Sequence, residues 1–255
     1  MTPTLLALDT STDLLAAALL TPAGEWCLNE TGGQLSSTRL IPALLALLAQ
    51  GGVTLADVQA IGFGQGPGAF TGLRTACAVT QGLAFAGNTP VLAIDSLLIV
   101  AEDARAQAAP GPDHAPAGAK PASGLSAAVA TDWWVAMDAR MDEIYAACYQ
   151  FSDAGWQVLE PPRLWTLPAL AAHWAQRPPQ CVAGSAITAF AGRLPWAQAA
   201  LWPDSSNRAA ALLRLAQAAW AQGSAIQAEH ALPLYLRDKV ALTTAERLQL
   251  RAASA

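Results

Sequence analysis

The sequence predicts a mixed α/β fold of two lobes that each run βββαβαβα. Three observations carry this expectation. Residues 61–92, IGFGQGPGAFTGLRTACAVTQGLAFAGNTPVL, read as strand, glycine loop, helix and strand, residues 4–30 read as a three-stranded meander, and the meander pattern returns from Trp133 onward.

The strand–loop–helix unit is the best defined. VQAIGFG is the unbroken apolar run expected of a strand buried on both faces, and Gly64, Gly66, Pro67 and Gly68 then permit a sharp turn. Residues 70–86 are mostly small, which suits a helix that approaches its neighbour closely, and Ala76, Val79, Thr80 and Leu83 share one face at three- and four-residue spacing. Gly87 and Asn88 suit the C-cap, and Pro90 opens the next strand. A glycine loop feeding a helix N-terminus can cradle phosphate, yet GxxxxGK[ST] is absent and Phe70 stands where a dinucleotide loop has its third glycine. Tight packing and anion binding both stay open at this point.

In the meander, the apolar run 4–9 ends on Asp9, the polar turn Thr10, Ser11, Thr12 and Asp13 follows, and strands are expected at 14–20 and 25–30. Residues 38–50, TRLIPALLALLAQ, predict a helix capped by Ser36 or Ser37 and stopped by Gly51 and Gly52, with Pro42 tolerated only in its first turn. Leu40, Leu44, Leu47 and Leu48 make an apolar stripe that Ile41 and Leu45 broaden beyond what one contact needs. Such a face can serve both a core and a partner helix.

Residues 95–108 read as a helix and 109–124 as a Pro/Ala/Gly insertion holding His114. Residues 133–160 then repeat the meander: Asp138 matches Asp9 and Asp142 matches Asp13 at one shared offset, and every tryptophan except Trp26 falls after residue 132. Helices are expected at 167–176, 186–193 and 208–222, the last capped by Asn207 or Ser206, with a strand at 181–184. The expected organisation is a first lobe at 1–108, the insertion at 109–124, a smaller second lobe at 125–205, a helix and PLYLR segment at 206–240 packing back towards the first lobe, and a tail at 241–255.

Composition narrows the function classes. With 53 % hydrophobic and 13 % charged residues the chain can bury a sizeable core. No apolar run reaches the roughly 20 residues of a membrane span and no signal peptide is evident, so a cytoplasmic protein without membrane contact is expected. The net charge of −5 argues against independent nucleic-acid binding. The four cysteines show no CxxC and are expected as buried free thiols, while three scattered histidines offer neither a catalytic triad nor a metal-ligand set, so no cofactor is expected.

Two lobes that each open with an aspartate at the end of the first strand suggest the actin-like, duplicated RNase H-type fold. In that class such aspartates and turn amides lie near Mg²⁺ and nucleotide, which makes Asp9, Thr10, Ser11 and Asp138 the candidate nucleotide-cleft residues. The competing reading for Asp9 is an ordinary Asx turn, and Ala139 and Arg140 after Asp138 are bulkier than a phosphate turn prefers. An ATPase or kinase using Asp9 and Asp138 is the alternative to the reading that follows.

LLALDTSTDLLAAALL, STRLIP, GPGAFTGLRTACAVTQGLAF with PVLAIDSL, DARMDEIY and PLYLR together resemble the TsaB (YeaZ) family of bacterial tRNA threonylcarbamoyladenosine biosynthesis proteins. The resemblance spans nearly the whole chain outside the insertion and tail. It implies a catalytically inactive paralogue of the transferase TsaD, an accessory subunit that forms a homodimer in isolation or pairs with TsaD, recruits TsaE, and meets tRNA only through the complex. The implied partner surface is the helices at 37–50 and 70–86, with Leu40, Leu44, Leu47, Leu48, Arg74, Ala76, Val79, Thr80 and Leu83 as the interface. TsaD-like members hold a metal through histidines after the strand that follows the glycine-loop helix; here that segment is IDSLLIV, without histidine. The histidine that family members commonly have near Ser36 is also missing.

Overall fold

The computed structural model describes residues 2–109, 131–196 and 198–237; the insertion beyond its first residue and the tail expected at 241–255 lie outside the described residues. Five strands, β1 (Leu5–Asp9), β2 (Leu14–Thr21), β3 (Gly24–Thr31), β4 (Ala60–Gly66) and β5 (Val91–Asp95), form one sheet in the order β3-β2-β1-β4-β5. β2 runs antiparallel to β1 and β3, whereas β4 and β5 run parallel to β1. Central β1 is buried at every position, which is why it reads LLALD without alternation, while edge strand β3 alternates between half-buried and exposed.

A second five-stranded sheet contains β6 (Thr131–Asp138), β7 (Glu143–Ser152), β8 (Gly155–Thr166), β9 (Cys181–Ala183) and β10 (Ala200–Trp202), in the order β8-β7-β6-β9-β10. Its directions match those of the first: β7 antiparallel to β6 and β8, β9 and β10 parallel to β6. Three-residue β10 was not anticipated, because so short a run carries no period.

Helices α1 (Ser36–Gln50) and α2 (Phe70–Gly87) cover one face of the first sheet. Its other face packs on α3 (Ser96–Ala108) and α6 (Arg208–Ala221). The second sheet takes α4 (Leu167–Gln176) and the single turn α5 (Ala186–Ala189) on one face, and α3 again on the other. α3 therefore serves both sheets. Its N-cap Asp95 accepts from Leu97 N at 2.9 Å and from the Tyr149 hydroxyl of β7 at 2.6 Å, and its Glu102 accepts from Trp156 Nε1 of β8 at 3.0 Å. Burial raises the Asp95 carboxyl above its ordinary range, although Tyr149, nearby amides and Arg208 pull the other way. The alanines of β1 and β2 have a use here. They let α6, itself alanine-rich, lie close to the sheet, so that a Cβ on Gly62 would meet the Ala216 methyl at 3.0 Å.

Local chemistry departs from expectation in four places. α1 begins at Ser36 after a 3₁₀ turn, with neither serine capping it, and the Ser36 hydroxyl is buried without a partner among the described residues. Pro42 thus lies inside the helix, where it leaves the Thr38 carbonyl without a donor; both residues are exposed, so water can satisfy that carbonyl. The helix expected at 186–193 stops after one turn at Phe190, whose side chain turns into the core. Finally, Cys27 is exposed on β3, whereas Cys77, Cys148 and Cys181 are buried, and burial pushes the Cys148 and Cys181 thiols up to about 12. At α6 the expectation holds, with the Asn207 side chain accepting from Ala210 N.

Candidate functional site

A cleft of about 520 Å³ opens between the two sheets, lined by Ser11, Gly68 and Phe70 on one side and by Asp138, Gly184 and Ser185 on the other. Asp138 at the end of β6 lines it directly, while on the β1 side the lining begins at Ser11, just beyond the strand end. Asp9, at the end of β1, is fully buried, and its Oδ2 accepts from Arg208 Nε at 2.6 Å and from Ser11 Oγ at 3.0 Å. Its Oδ1 accepts from Ser11 N and Ser96 Oγ, each at 3.3 Å. Arg208, on the first turn of α6 and 1 % exposed, also donates through Nη2 to Ser11 Oγ at 2.9 Å and to the Ser96 carbonyl at 3.1 Å.

Asp9, Thr10 and Ser11, the residues expected at a nucleotide cleft, are engaged within the chain itself. A guanidinium already occupies the cation position beside Asp9, so Mg²⁺ could bind that carboxylate only by displacing a buried ion pair. Thr10 spends its hydroxyl on the Gly72 carbonyl at 2.7 Å, and Ala69 N at the start of α2 donates to the Ser11 carbonyl at 2.7 Å. That carbonyl is an acceptor where a bound anion would need a donor. The glycine loop packs tightly: a Cβ on Gly68 would overlap the Ser11 carbonyl oxygen, and one on Gly64 would overlap the Asp9 carboxylate.

Asp138 is turned inward on its own hairpin. Its Oδ1 accepts from Arg140 N at 2.8 Å and its Oδ2 from Arg140 Nη1 at 3.1 Å, while its own amide donates to Ser185 Oγ at 3.1 Å. Arg140, Met141 and Asp142 follow with φ of 66°, 57° and 57°, three left-handed residues without a glycine among them. Arg237 holds this turn through Nη2, which donates to the Ala139 carbonyl at 3.0 Å, to the Arg140 carbonyl at 3.3 Å and to the Glu143 carboxylate. The segment carrying Arg237 is anchored on the first sheet by Leu234 N donating to the Gln65 carbonyl at 2.7 Å. PLYLR is thus a strap across the mouth of the cleft.

No histidine lies where a TsaD-like metal would bind. Asp95 there caps α3 and bonds Tyr149, and Leu97 and Ile99 are core residues, so the segment does not fit that metal. Among the described residues no group of three or more His, Cys, Asp or Glu could hold a metal ion.

The outer layer revises the expected interface. Leu40, Leu44, Leu47 and Leu48 belong to the core with Leu15, Leu19 and Phe63, and Ala76 and Thr80 are fully buried. These six are not available to a partner. Val79 and Leu83 are half-buried and pack on the same core, and Arg74 is exposed. The outward side of the layer carries Ile41 (45 % exposed) and Leu45 (56 %) on α1 and Phe85 (59 %) on α2, with exposed Ala78 and Gly82 between them and open space around Gly82. Periodicity identified the stripe and its broad margin; the sheet took the stripe, and the margin was left outside.

Two residues escaped the sequence reading. Arg208 had a signal, since a cation at the first position of a helix opposes the helix dipole and therefore asks for a compensating carboxylate. Tyr235 had none, because its contacts with Phe70 and Arg74 come from a distant part of the chain.

Two sheets of one strand order, a helix shared between them and a cleft where they face each other define a two-sheet α/β protein. The family model described as TsaD, tRNA N6-adenosine threonylcarbamoyltransferase, matches residues 30–159, about half of the chain. The chain is similar to a Pseudomonas aeruginosa structure described as an uncharacterized protein with similarity to peptidase YEAZ, at 38% identity and TM-score 0.77, covering 92% of this chain and 100% of that one. A second P. aeruginosa structure, described as YeaZ, gives 37% identity and TM-score 0.75 over the same shares. The Escherichia coli (strain K12) tRNA threonylcarbamoyladenosine biosynthesis protein TsaB is 29% identical over 93% of this chain and 96% of its own length. The chain belongs to the TsaB (YeaZ) family. No helix among the described residues is long and apolar enough to cross a membrane.

Proposed function

We propose that this chain is a cytoplasmic, non-catalytic accessory subunit of tRNA threonylcarbamoyladenosine biosynthesis, pairing with TsaD and recruiting TsaE. The printed name of the E. coli relative supports the process. The observation that carries the accessory role is the Asp9–Arg208 pair, which replaces the metal–nucleotide contact that an actin-like enzyme makes at the end of its first strand. On this reading the two sheets are the RNase H-like lobes of a duplicated actin-like fold, a reading supported by their matching strand order and directions. The outward side of α1 and α2 then meets TsaD or, in isolation, a second copy: its apolar residues are exposed and border small ones that let a partner helix approach. With a net charge of −5, the subunit reaches tRNA only through the complex.

The test is incorporation of labelled threonine into tRNA by TsaD, TsaE and the adenylate-forming enzyme, with and without this chain. Dependence on the chain, with no activity of the chain alone, is the expected result. Equal incorporation without it overturns the reading, and Mg–ATP turnover by the isolated chain would point instead to the ATPase or kinase alternative.

A further inference from the structure

We propose that Arg74 is a partner-selecting anchor on the outer helix face, a guanidinium fork held ready for a carboxylate that a second copy of this chain does not carry on its own helix pair. The inference rests on reading the outward side of α1 and α2 as a partner surface.

Arg74 lies in line with Ala78, Gly82 and Phe85 on the exposed side of α2. Although exposed, it is held by two aromatic side chains. Its guanidinium carbon sits 3.7 Å above the Phe70 ring centroid and 6.0 Å from that of Tyr235, and its Nε donates to the Tyr235 hydroxyl at 3.1 Å. The two rings are themselves 5.1 Å apart, and the strap that carries Tyr235 is bonded to β4 at Gln65. An exposed arginine ordinarily loses rotamer freedom when it binds; here much of that loss has already occurred. Among the described residues no carboxylate pairs with Arg74, and its two Nη groups have no hydrogen-bond partner. Arg39, Arg105, Arg140, Arg193, Arg208, Arg214 and Arg237 each pair with an acidic side chain of the chain itself; Arg163 and Arg177, like Arg74, form no such pair among the described residues, and of these three only Arg74 lies on the α1–α2 layer.

Charge identifies the occupant. α1 (SSTRLIPALLALLAQ) and α2 (FTGLRTACAVTQGLAFAG) contain no Asp or Glu, and their only charged residues are Arg39 and Arg74. Two copies meeting through these helices would bring arginine towards arginine with no acid between them. Glu30, beside the layer, is already 4.0 Å from Arg39. A different protein that places an Asp or Glu opposite Arg74 gains a bidentate, charge-assisted pair that self-association lacks. Apolar contacts on this face are common to both pairings; Arg74 is what separates them.

The experiment is isothermal titration of the full chain with the TsaD homologue of the same genome, beside sedimentation of the chain alone, for wild type, Arg74→Ala, Arg74→Lys and Leu45→Glu. Thermal melts confirm that each variant is folded. Arg74→Ala is expected to weaken binding to TsaD about 30-fold or more, the scale of a lost interface hot spot, while leaving self-association unchanged. Arg74→Lys should recover only part of that loss, since an ammonium has no fork. Wild-type affinity in Arg74→Ala, with binding lost in Leu45→Glu, overturns the anchor and leaves the surface standing. Wild-type affinity in both, or no binding by the wild-type chain, overturns the surface reading beneath it. Equal loss of self-association and of TsaD binding in Arg74→Ala overturns the selectivity.

Discussion

Asp9 and Arg208 stand 199 residues apart in sequence and meet in the interior at 2.6 Å, each supplying the opposite charge that the other's burial requires while Ser11 and Ser96 complete their hydrogen bonds. Removing one charge from such a pair costs more than the pair itself contributes, because the survivor stays buried and unpaired. Arg208→Ala should therefore lower unfolding free energy by about 3–5 kcal/mol, and Asp9→Asn combined with Arg208→Met should be clearly less destabilised than the two single changes summed. Urea denaturation of Arg208→Ala, of the two single changes and of their combination checks this, and strict additivity would show that the two side chains act independently. Asp95 offers a pH test. Burial first of all, against the opposing pull of its hydrogen bonds, raises its carboxyl above the ordinary value of 3.8. The folded chain then holds a proton that the unfolded chain has already released, so this residue's stabilising contribution is present at low pH and is lost as pH rises through the raised value. Asp95→Asn keeps a side-chain acceptor for the α3 N-cap and removes the slope. Relative to wild type, the variant should gain stability as pH is raised from about 4 towards neutrality; a constant difference between the two would exclude Asp95 as the source.

On α1 the four leucines at 40, 44, 47 and 48 face the sheet, and Ile41 and Leu45 face outward. A helix with a period of 3.6 cannot say which part of a wide apolar arc meets its own chain and which meets another. The sequence reading placed the partner on these four leucines through the family resemblance, which implied the helices and not which side of them faces outward. Position 44 next to position 45 now makes a sharp comparison. Leu44→Ala should lose about 2–5 kcal/mol of stability as a core cavity, whereas Leu45→Glu should stay within about 0.5 kcal/mol of wild type, as surface changes do. Equal melting temperatures for the two variants would contradict the burial of Leu44. On α2 the same logic governs Gly72, at which the local sequence gives no reason for a glycine. What it supplies is the absence of a Cβ against the Thr10 carbonyl, a contact made by a different strand turn.

At the scale of the whole molecule, α3 joins the two sheets by packing on both and by the Asp95–Tyr149 and Glu102–Trp156 hydrogen bonds, and the PLYLR strap joins them again at the cleft mouth. Two bodies coupled in this way should melt together. Tryptophan fluorescence, dominated by the tryptophans that follow residue 132, and far-ultraviolet circular dichroism should report one coincident urea transition; separated midpoints would mean that the second sheet unfolds on its own. The sequence by itself determined the elements and their pairing into two like meanders, because apolar period, turn residues and glycines act over a few residues: β1 to β9 and helices α1, α2, α3, α4 and α6 all follow from such patterns. It also carried the family motifs. Short β10 fell below the length at which a period shows, and the helix expected at 186–193 is only the single turn α5. Only the tertiary structure decided the chemistry of the cleft and the identity of the free surface. Asp9 could have been a metal ligand until Arg208 arrived from α6, and Leu44 could have met a partner until the first sheet covered it. Both outcomes depend on contacts between distant segments, and local sequence pattern does not encode which distant side chain completes a carboxylate's shell or covers a helix face.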